Sequence, residues 1–314
     1  MSQGGSGPQF GERAEHGPND VCYRHPGTPS FTLCQRCGRT ICAQCQVVSA
    51  VGVLCPECVR EAKPATKQRV GRSARATGRR VAASETPVTY GIMIICAVVF
   101  VLQWLSATFS DNGVTAALWY APAYSLPPDM VPGALFGFEP WRMITAMFTH
   151  STGFIFHILF NMYALWLFGR NLEQMLGRAW FLVLYLFAGL GGSLGVMIWG
   201  YFDVTSILVP TVGASGAIFG VLAATLVGYR AANVNITSLA VLIAINFGIG
   251  FLPGAAISWQ AHLGGMIVGA AAMGLLVASR GPRRRQGRIL GMVGLGVLLV
   301  VLSGLYFVIS PLTF

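Results

Sequence analysis

An all-α fold, a polytopic membrane helical bundle of seven transmembrane helices behind a small zinc-stabilised N-terminal domain, is predicted by three observations. Only 10% of the residues are charged and 54% are hydrophobic, whereas a soluble domain carries roughly 25% charge. Apolar runs recur from Val88 onward, each near the ~20 residues that cross ~30 Å of hydrocarbon as helix. Seven of the eight cysteines crowd between Cys22 and Cys58. The net charge of +10 sits almost wholly outside the apolar blocks. That placement assigns it to membrane flanks and argues against a nucleic-acid groove.

In chain order, residues 1–20 contain Gly, Pro and Glu without periodicity and read as a disordered N-terminus. Residues 21–60 form a cysteine module with ligand pairs Cys22-x2-His25, Cys34-x2-Cys37, Cys42-x2-Cys45 and Cys55-x2-Cys58. Paired ligands at this spacing in a basic, non-secreted segment point to metal before disulfides. Four pairs suffice for two tetrahedral zinc ions. A cross-braced arrangement joins Cys22, His25, Cys42 and Cys45 in one site, and Cys34, Cys37, Cys55 and Cys58 in the other; sequential pairing is the alternative. All positions are filled by protein, so the zinc is structural and takes no part in catalysis. Residues 61–87 are a basic linker, suited to an anionic lipid surface.

Seven apolar spans follow, at about 88–109, 148–169, 175–200, 213–230, 236–252, 258–279 and 289–310. Helices are expected because lipid cannot satisfy free backbone groups. With the N-terminus cytoplasmic, only Arg142 of the 21 Lys and Arg residues falls outside. Asp111, Asp129, Glu139 and Asp203 also fall outside. The positive-inside rule therefore favours seven crossings, a cytoplasmic N-terminus and an extracytoplasmic C-terminus. The long first outer loop, 110–147, carries Trp119, Tyr120, Tyr124, Phe136, Phe138 and Trp141. Its aromatic surface suits the membrane interface.

Intramembrane polar residues are costly and are functional candidates by default. On the second span, His150, His157 and Asn161 are spaced to share one helical face. The fourth span opens with Gly213-Ala214-Ser215-Gly216, and the sixth contains Ala261-His262-Leu263-Gly264-Gly265 followed by Gly269. All three spans start on the outer side, so these groups lie at similar depth. The glycines allow the fourth and sixth spans to approach backbone to backbone. Taken singly, Gly-Ala-Ser-Gly is more often a packing motif, and a lone membrane His or Asn an interhelical hydrogen bond. Taken together, Ser215 suits a nucleophile and His262 its base. The core spans hold no carboxylate, which leaves a dyad in place of an Asp-assisted triad. His157, Asn161 and the Ser215 N–H, near a helix N-terminus, suit an oxyanion.

These residues resemble the rhomboid family of intramembrane serine proteases. The resemblance rests on Glu139-Pro140-Trp141-Arg142, His157-Ile158-Leu159-Phe160-Asn161, Gly213-Ala214-Ser215-Gly216 and Ala261-His262-Leu263-Gly264-Gly265. It covers about 88–279, a six-helix protease core, and 280–314 supplies a seventh helix. It implies Ser215 as nucleophile, His262 as general base, and His157 and Asn161 as oxyanion support. Gly213, Phe219 and His150 are implied as further support, with Phe219 stacking on His262. Trp141 and Arg142 are implied as structural parts of the outer loop. The 21–60 module resembles a cytoplasmic B-box-type zinc finger, ending in Cys where that family usually has His.

The implied activity is a serine endopeptidase that cuts transmembrane segments of membrane proteins near the extracytoplasmic face. Its partners would be transmembrane protein substrates, the lipid bilayer and a cytoplasmic protein for the zinc domain, but not nucleic acid. Its site would be the cell membrane. An inactive rhomboid-like binding or routing factor is the alternative; such relatives usually lack the Ser or the His, and both are present here. A transporter is disfavoured by the lack of Asp, Glu and Lys in the core spans, whose arginines, Arg178 and Arg230, lie only at span ends.

Overall fold

The computed structural model describes residues 20–49, 52–62, 81, 83–127, 130, 137–252, 257–281 and 284–313. Most of the expected disordered N-terminus and basic linker, residues 1–19, 63–80 and 82, therefore lies outside the described residues. The chain divides into two compact units, Met1–Arg79 and Arg80–Phe314.

The first unit is built from two short antiparallel ribbons and one helix. Strand β1 (Val21–Cys22) pairs with β2 (His25–Pro29), and β3 (Val47–Ser49) pairs with β4 (Gly52–Leu54). Helix α1 (Pro56–Ala62) follows. Its buried core is six cysteines with Ile41 and Leu54. So few apolar side chains offset little of the chain entropy of folding. Beside that core, the Tyr23 hydroxyl donates to Glu57 at 2.6 Å. Arg39 pairs with Glu57 at 2.8 Å and lies 4.2 Å over the Tyr23 ring. The Tyr23 hydroxyl first, and then Arg39, hold the Glu57 carboxyl below its ordinary range.

The second unit is helical. Helix α2 (Pro87–Phe109) has Pro in its first turn, where a missing N–H costs nothing. Its next free donors are met from far along the chain. Glu173 accepts from Val88 N at 3.0 Å, Thr89 N at 2.8 Å and Thr89 Oγ1 at 2.7 Å. The outer loop contains α3 (Gly113–Leu118) and α4 (Arg142–Thr145). Arg142 organises it, pairing with Glu139 at 2.5 Å, donating to Ala116 O at 2.6 Å and lying 4.1 Å over Tyr124.

Helix α5 (Ile155–Ala164) runs through a π-helical segment, Leu165–Gly169, into α6 (Arg170–Leu176). Gly177, at φ +79°, breaks it before α7 (Arg178–Trp199). Next come α8 (Ser215–Ala231), α9 (Thr237–Ile249), α10 (Trp259–Ala278), α11 (Arg285–Ser303) and the short α12 (Leu305–Val308). Helices α2, α7, α10 and α11 have the length and composition to cross a membrane, and α8 and α9 are shorter apolar helices.

Six of the seven expected spans match helices in place and type, with ends shifted by up to seven residues. The second does not begin where expected. The expectation was 148–169, but the helix runs from Ile155 to Leu176. Ser151, Thr152 and Gly153 are weak helix formers at its intended start. At its other end the apolar run stops at Arg170, yet the helix continues and uses Glu173 to cap α2.

Helices α7, α8 and α10 form the centre of this unit. Small residues let their backbones meet: a Cβ on Gly265 would overlap the carbonyl of Gly216, and one on Gly269 would overlap that of Gly220. Around this centre, α2 and α11 expose apolar side chains such as Val98, Val101, Val293 and Val300. An outward apolar surface around a small-residue core is the arrangement of an integral membrane protein.

Candidate active site and metal clusters

Ser215 is the first residue of α8, and His262 sits in the second turn of α10. The close approach of the two helices sets their side chains together: His262 Nε2 lies 2.9 Å from Ser215 Oγ. His262 is 5% exposed. Phe219, one turn along α8, stacks on its ring with centroids 4.0 Å apart and planes at 17°. Among the described residues, His262 Nδ1 has no hydrogen-bond partner. The serine thus faces an imidazole held by packing and not by a carboxylate.

His157 enters from α5. Its Nδ1 accepts from the Ser151 backbone N–H at 3.2 Å. An acceptor at Nδ1 leaves the proton on Nε2, so Nε2 is a donor. That donor faces Gly213, where an added Cβ would lie 3.0 Å from His157 Nε2 and 3.5 Å from Ser215 Oγ. Gly213 has φ +131°, a conformation that L side chains rarely adopt. The space left by its missing side chain is therefore bordered by the serine oxygen, the His157 donor and the first turn of α8, whose N–H groups lack intrahelical partners.

Asn161 lies one turn deeper on α5, where its Nδ2 donates to His157 O at 2.7 Å. One of its two amide N–H groups is thus engaged on its own helix. His150 is not on α5 at all. It lies in the preceding loop, fully buried, with its ring centroid 5.4 Å from that of His157. The shared helical face expected for His150, His157 and Asn161 holds only for the last two. The loop is pinned by Gln103 of α2, which accepts from His150 N at 2.9 Å and donates to His150 O at 3.1 Å. Sequence reasoning passed over Gln103; its signal was the one carboxamide in a mostly apolar 23-residue helix.

In the first unit the eight expected ligands form two groups, Cys22, His25, Cys42 and Cys45, and Cys34, Cys37, Cys55 and Cys58. Within each, the donor atoms lie within 4.8 Å of one another, and each group could hold a metal ion. The first pair joins the third and the second joins the fourth, which is the cross-braced arrangement. His25 presents Nδ1, 3.4 Å from the sulfurs of Cys42 and Cys45 and 3.8 Å from that of Cys22. Burial pushes the Cys22 and Cys34 thiols up, but surrounding backbone N–H donors outweigh it and draw both down to about 6. Burial pushes Cys45 and Cys58, in the same two groups, up instead, to about 11 and about 12.

The Rhomboid domain family model matches residues 137–279, which hold Ser215, His262, His157 and Asn161. The chain is 37% identical over 160 residues to Rhomboid protease GluP of Bacillus subtilis, covering 48% of this chain and 30% of that protein. It is 37% identical over 143 residues to RHOMBOID-like protein 6, mitochondrial, of Arabidopsis thaliana, covering 42% of each chain. Against Putative rhomboid protease YdcA of Bacillus subtilis the identity is 35% over 171 residues, 49% of this chain and 80% of that protein. The chain thus spans less than half the length of the first two relatives and most of the third. With a shared domain across the helical core and a relative matched over four-fifths of its length, this chain belongs to the rhomboid family.

Proposed function

We propose that the protein is an intramembrane serine endopeptidase that cuts transmembrane segments of other membrane proteins by a Ser215–His262 dyad. The observation that carries this reading is the 2.9 Å approach of His262 Nε2 to Ser215 Oγ beneath the Phe219 ring. Three relatives named as rhomboid proteases support it. The presence of both partners in contact weighs against an inactive binding or routing factor.

Ser215 Oγ attacks the scissile carbonyl as its proton passes to His262 Nε2. The oxyanion forms in the space beside Gly213, where the Ser215 N–H and His157 Nε2–H are the donors. Asn161, whose Nδ2 carries a second N–H, joins them as oxyanion support, and His150 stands beside His157. His262 then protonates the leaving amine, giving an acyl-enzyme on Ser215. Water, deprotonated by His262, releases the second product and restores the serine. The substrate must unwind locally, since a helix shields its own peptide bonds. Helix-breaking residues near the cut favour this.

The two Cys/His groups are assigned to structural zinc in a B-box-like module. A tetrahedral zinc with Zn–S of about 2.3 Å and Zn–N of about 2.0 Å separates its ligand sulfurs by about 3.8 Å and a sulfur from a nitrogen by about 3.5 Å. The 3.4 and 3.8 Å spacings around His25, and 3.8 Å between the sulfurs of Cys37 and Cys55, fit it. Zinc there supplies cross-links in place of a core. By charge bias, the zinc module faces the cytoplasm and Ser215 the outer leaflet of the cell membrane.

The test is cleavage of a model transmembrane substrate in liposomes. Ser215→Ala and His262→Ala should each abolish it while leaving the thermal unfolding midpoint within a few degrees. Full activity in either variant refutes the dyad. Orientation is read by an impermeant thiol reagent, which should label a cysteine placed in 113–118 and spare one placed in 65–80.

A further inference from the structure

One end of the helical unit carries arginines that no carboxylate answers. Arg178 opens α7, Arg280 follows α10, and Arg284, Arg285 and Arg288 open α11. Among the described residues of this unit, the ion pair Arg142–Glu139 belongs to the outer loop, and none involves these five. The nearby acids are engaged elsewhere. Glu173 is bonded to the start of α2, and Glu85 accepts from Gln174 at 2.9 Å.

At this end, α6, the start of α7, the end of α10 and the start of α11 border a half-open cavity of about 130 Å³. Met175, Trp180, Leu276 and Val277 give it apolar walls, and Arg280 and Arg288 give it charge. A space this small suits a phosphate headgroup and not a whole lipid. Arg288 donates through Nε and one Nη to Ser279 O at 3.3 and 3.0 Å. Those bonds aim the guanidinium while its other Nη has no acceptor among the described residues. The Arg280 side chain has no protein partner among them either. Arg284, at the N-cap of α11, makes no side-chain cap bond, so the first N–H groups of a 19-residue helix also lack a side-chain acceptor.

We infer that this cavity binds the phosphate of an anionic phospholipid, with Arg280 and Arg288 as its ligands and the acyl chains lying along α11. Paired guanidinium groups suit phosphate oxygens by geometry as well as charge. The source is lipid and not a free anion because the surrounding surface is apolar and outward-facing: Met175 is 42% exposed and Leu290 70%. Trp180 supplies the indole that is typical at headgroup depth. This site is separate from Ser215, and its test does not depend on proteolysis.

The full chain, in mild detergent, is titrated with phosphatidylglycerol or phosphatidylcholine, and retained lipid is counted by native mass spectrometry. Phosphatidylglycerol should be retained and phosphatidylcholine should not. Arg280→Gln combined with Arg288→Gln should weaken retention by about tenfold, while Arg230→Gln, outside the cavity, should leave it unchanged. Arg280→Gln alone, which breaks no protein contact, should give a partial loss and keeps the test readable if the double variant unfolds. Equal retention of both lipids, or an equal loss in Arg230→Gln, overturns the proposal. Displacement of phosphatidylglycerol by equimolar inorganic phosphate also overturns it, by making the site one for free anions.

Discussion

Phe219 lies flat on His262, with planes at 17° and centroids 4.0 Å apart, so one turn of α8 carries both the serine and the surface that holds its partner imidazole. A stacked ring restricts the imidazole to rotations in its own plane, where Nε2 stays aimed at Ser215. Phe219→Tyr preserves that face and should retain activity within about threefold. Phe219→Leu removes the planar support and should lower cleavage about tenfold to a hundredfold, or ~1.4–2.7 kcal/mol in the barrier. Rates on a model transmembrane substrate measure both. Unchanged rates in Phe219→Leu would deny the ring its role.

Glu173 makes a different kind of prediction, one about folding. It is 1% exposed and accepts three hydrogen bonds from the first turn of α2. Glu173→Ala leaves buried donors without partners at about 1–3 kcal/mol each. The unfolding midpoint should fall, and the start of α2 should gain hydrogen exchange. Glu173→Gln, which keeps an oxygen in place, should cost less.

That contact also marks the limit of what the linear chain discloses. Apolar length made α2, α7 and α10 readable, because nothing else needs so many apolar residues in a row. Ser215 and His262 stood out as polar groups in such runs. The partners of Glu173 lie 84 and 85 positions away, and Gln103 meets His150 across 47. No periodicity reports such pairings. His150 was misplaced for a related reason: a spacing of seven implies a shared face only where the intervening chain is helical, and Ser151–Gly153 is not.

Close packing of α8 against α10 rests on absent side chains. A Cβ on Gly265 would overlap the Gly216 carbonyl, which is backbone and cannot swing aside. Gly265→Ala should therefore force the helices apart, cost about 1–3 kcal/mol, and separate Ser215 from His262. Gly274→Ala, on the same helix with nothing within 4 Å of the added carbon, should be neutral or slightly stabilising. A midpoint for Gly265→Ala equal to that of Gly274→Ala would contradict this packing.

Metal content separates the cross-braced from the sequential arrangement. The intact protein should release two equivalents of zinc to a colorimetric chelator after thiol modification. Cys45→Ser and Cys42→Ser strike the group containing His25, and Cys58→Ser strikes the other. In a cross-brace both groups share the same short chain segments, so loss of either ion should expose the other to chelation. Sequential sites would lose one ion and protect the second.

Gly213 offers the sharpest test of the space assigned to the oxyanion. Its φ of +131° and its position 3.0 Å, measured from an added Cβ, from His157 Nε2 make two separate demands for glycine. Gly213→Ala meets both penalties: a strained backbone at ~1–3 kcal/mol, and a methyl group in the space proposed for the oxyanion. Strain alone lowers stability and leaves the chemistry of the folded fraction intact. Occlusion lowers the rate per folded molecule. Cleavage should therefore fall by about a hundredfold or more, comparable with the loss of an oxyanion donor, even at temperatures where the variant is fully folded. His157→Ala should lower the rate without changing the midpoint by more than a few degrees. The double variant should be little worse than either single one, because both act on one space. Additive losses would place Gly213 and His157 in separate roles and remove the oxyanion from between them.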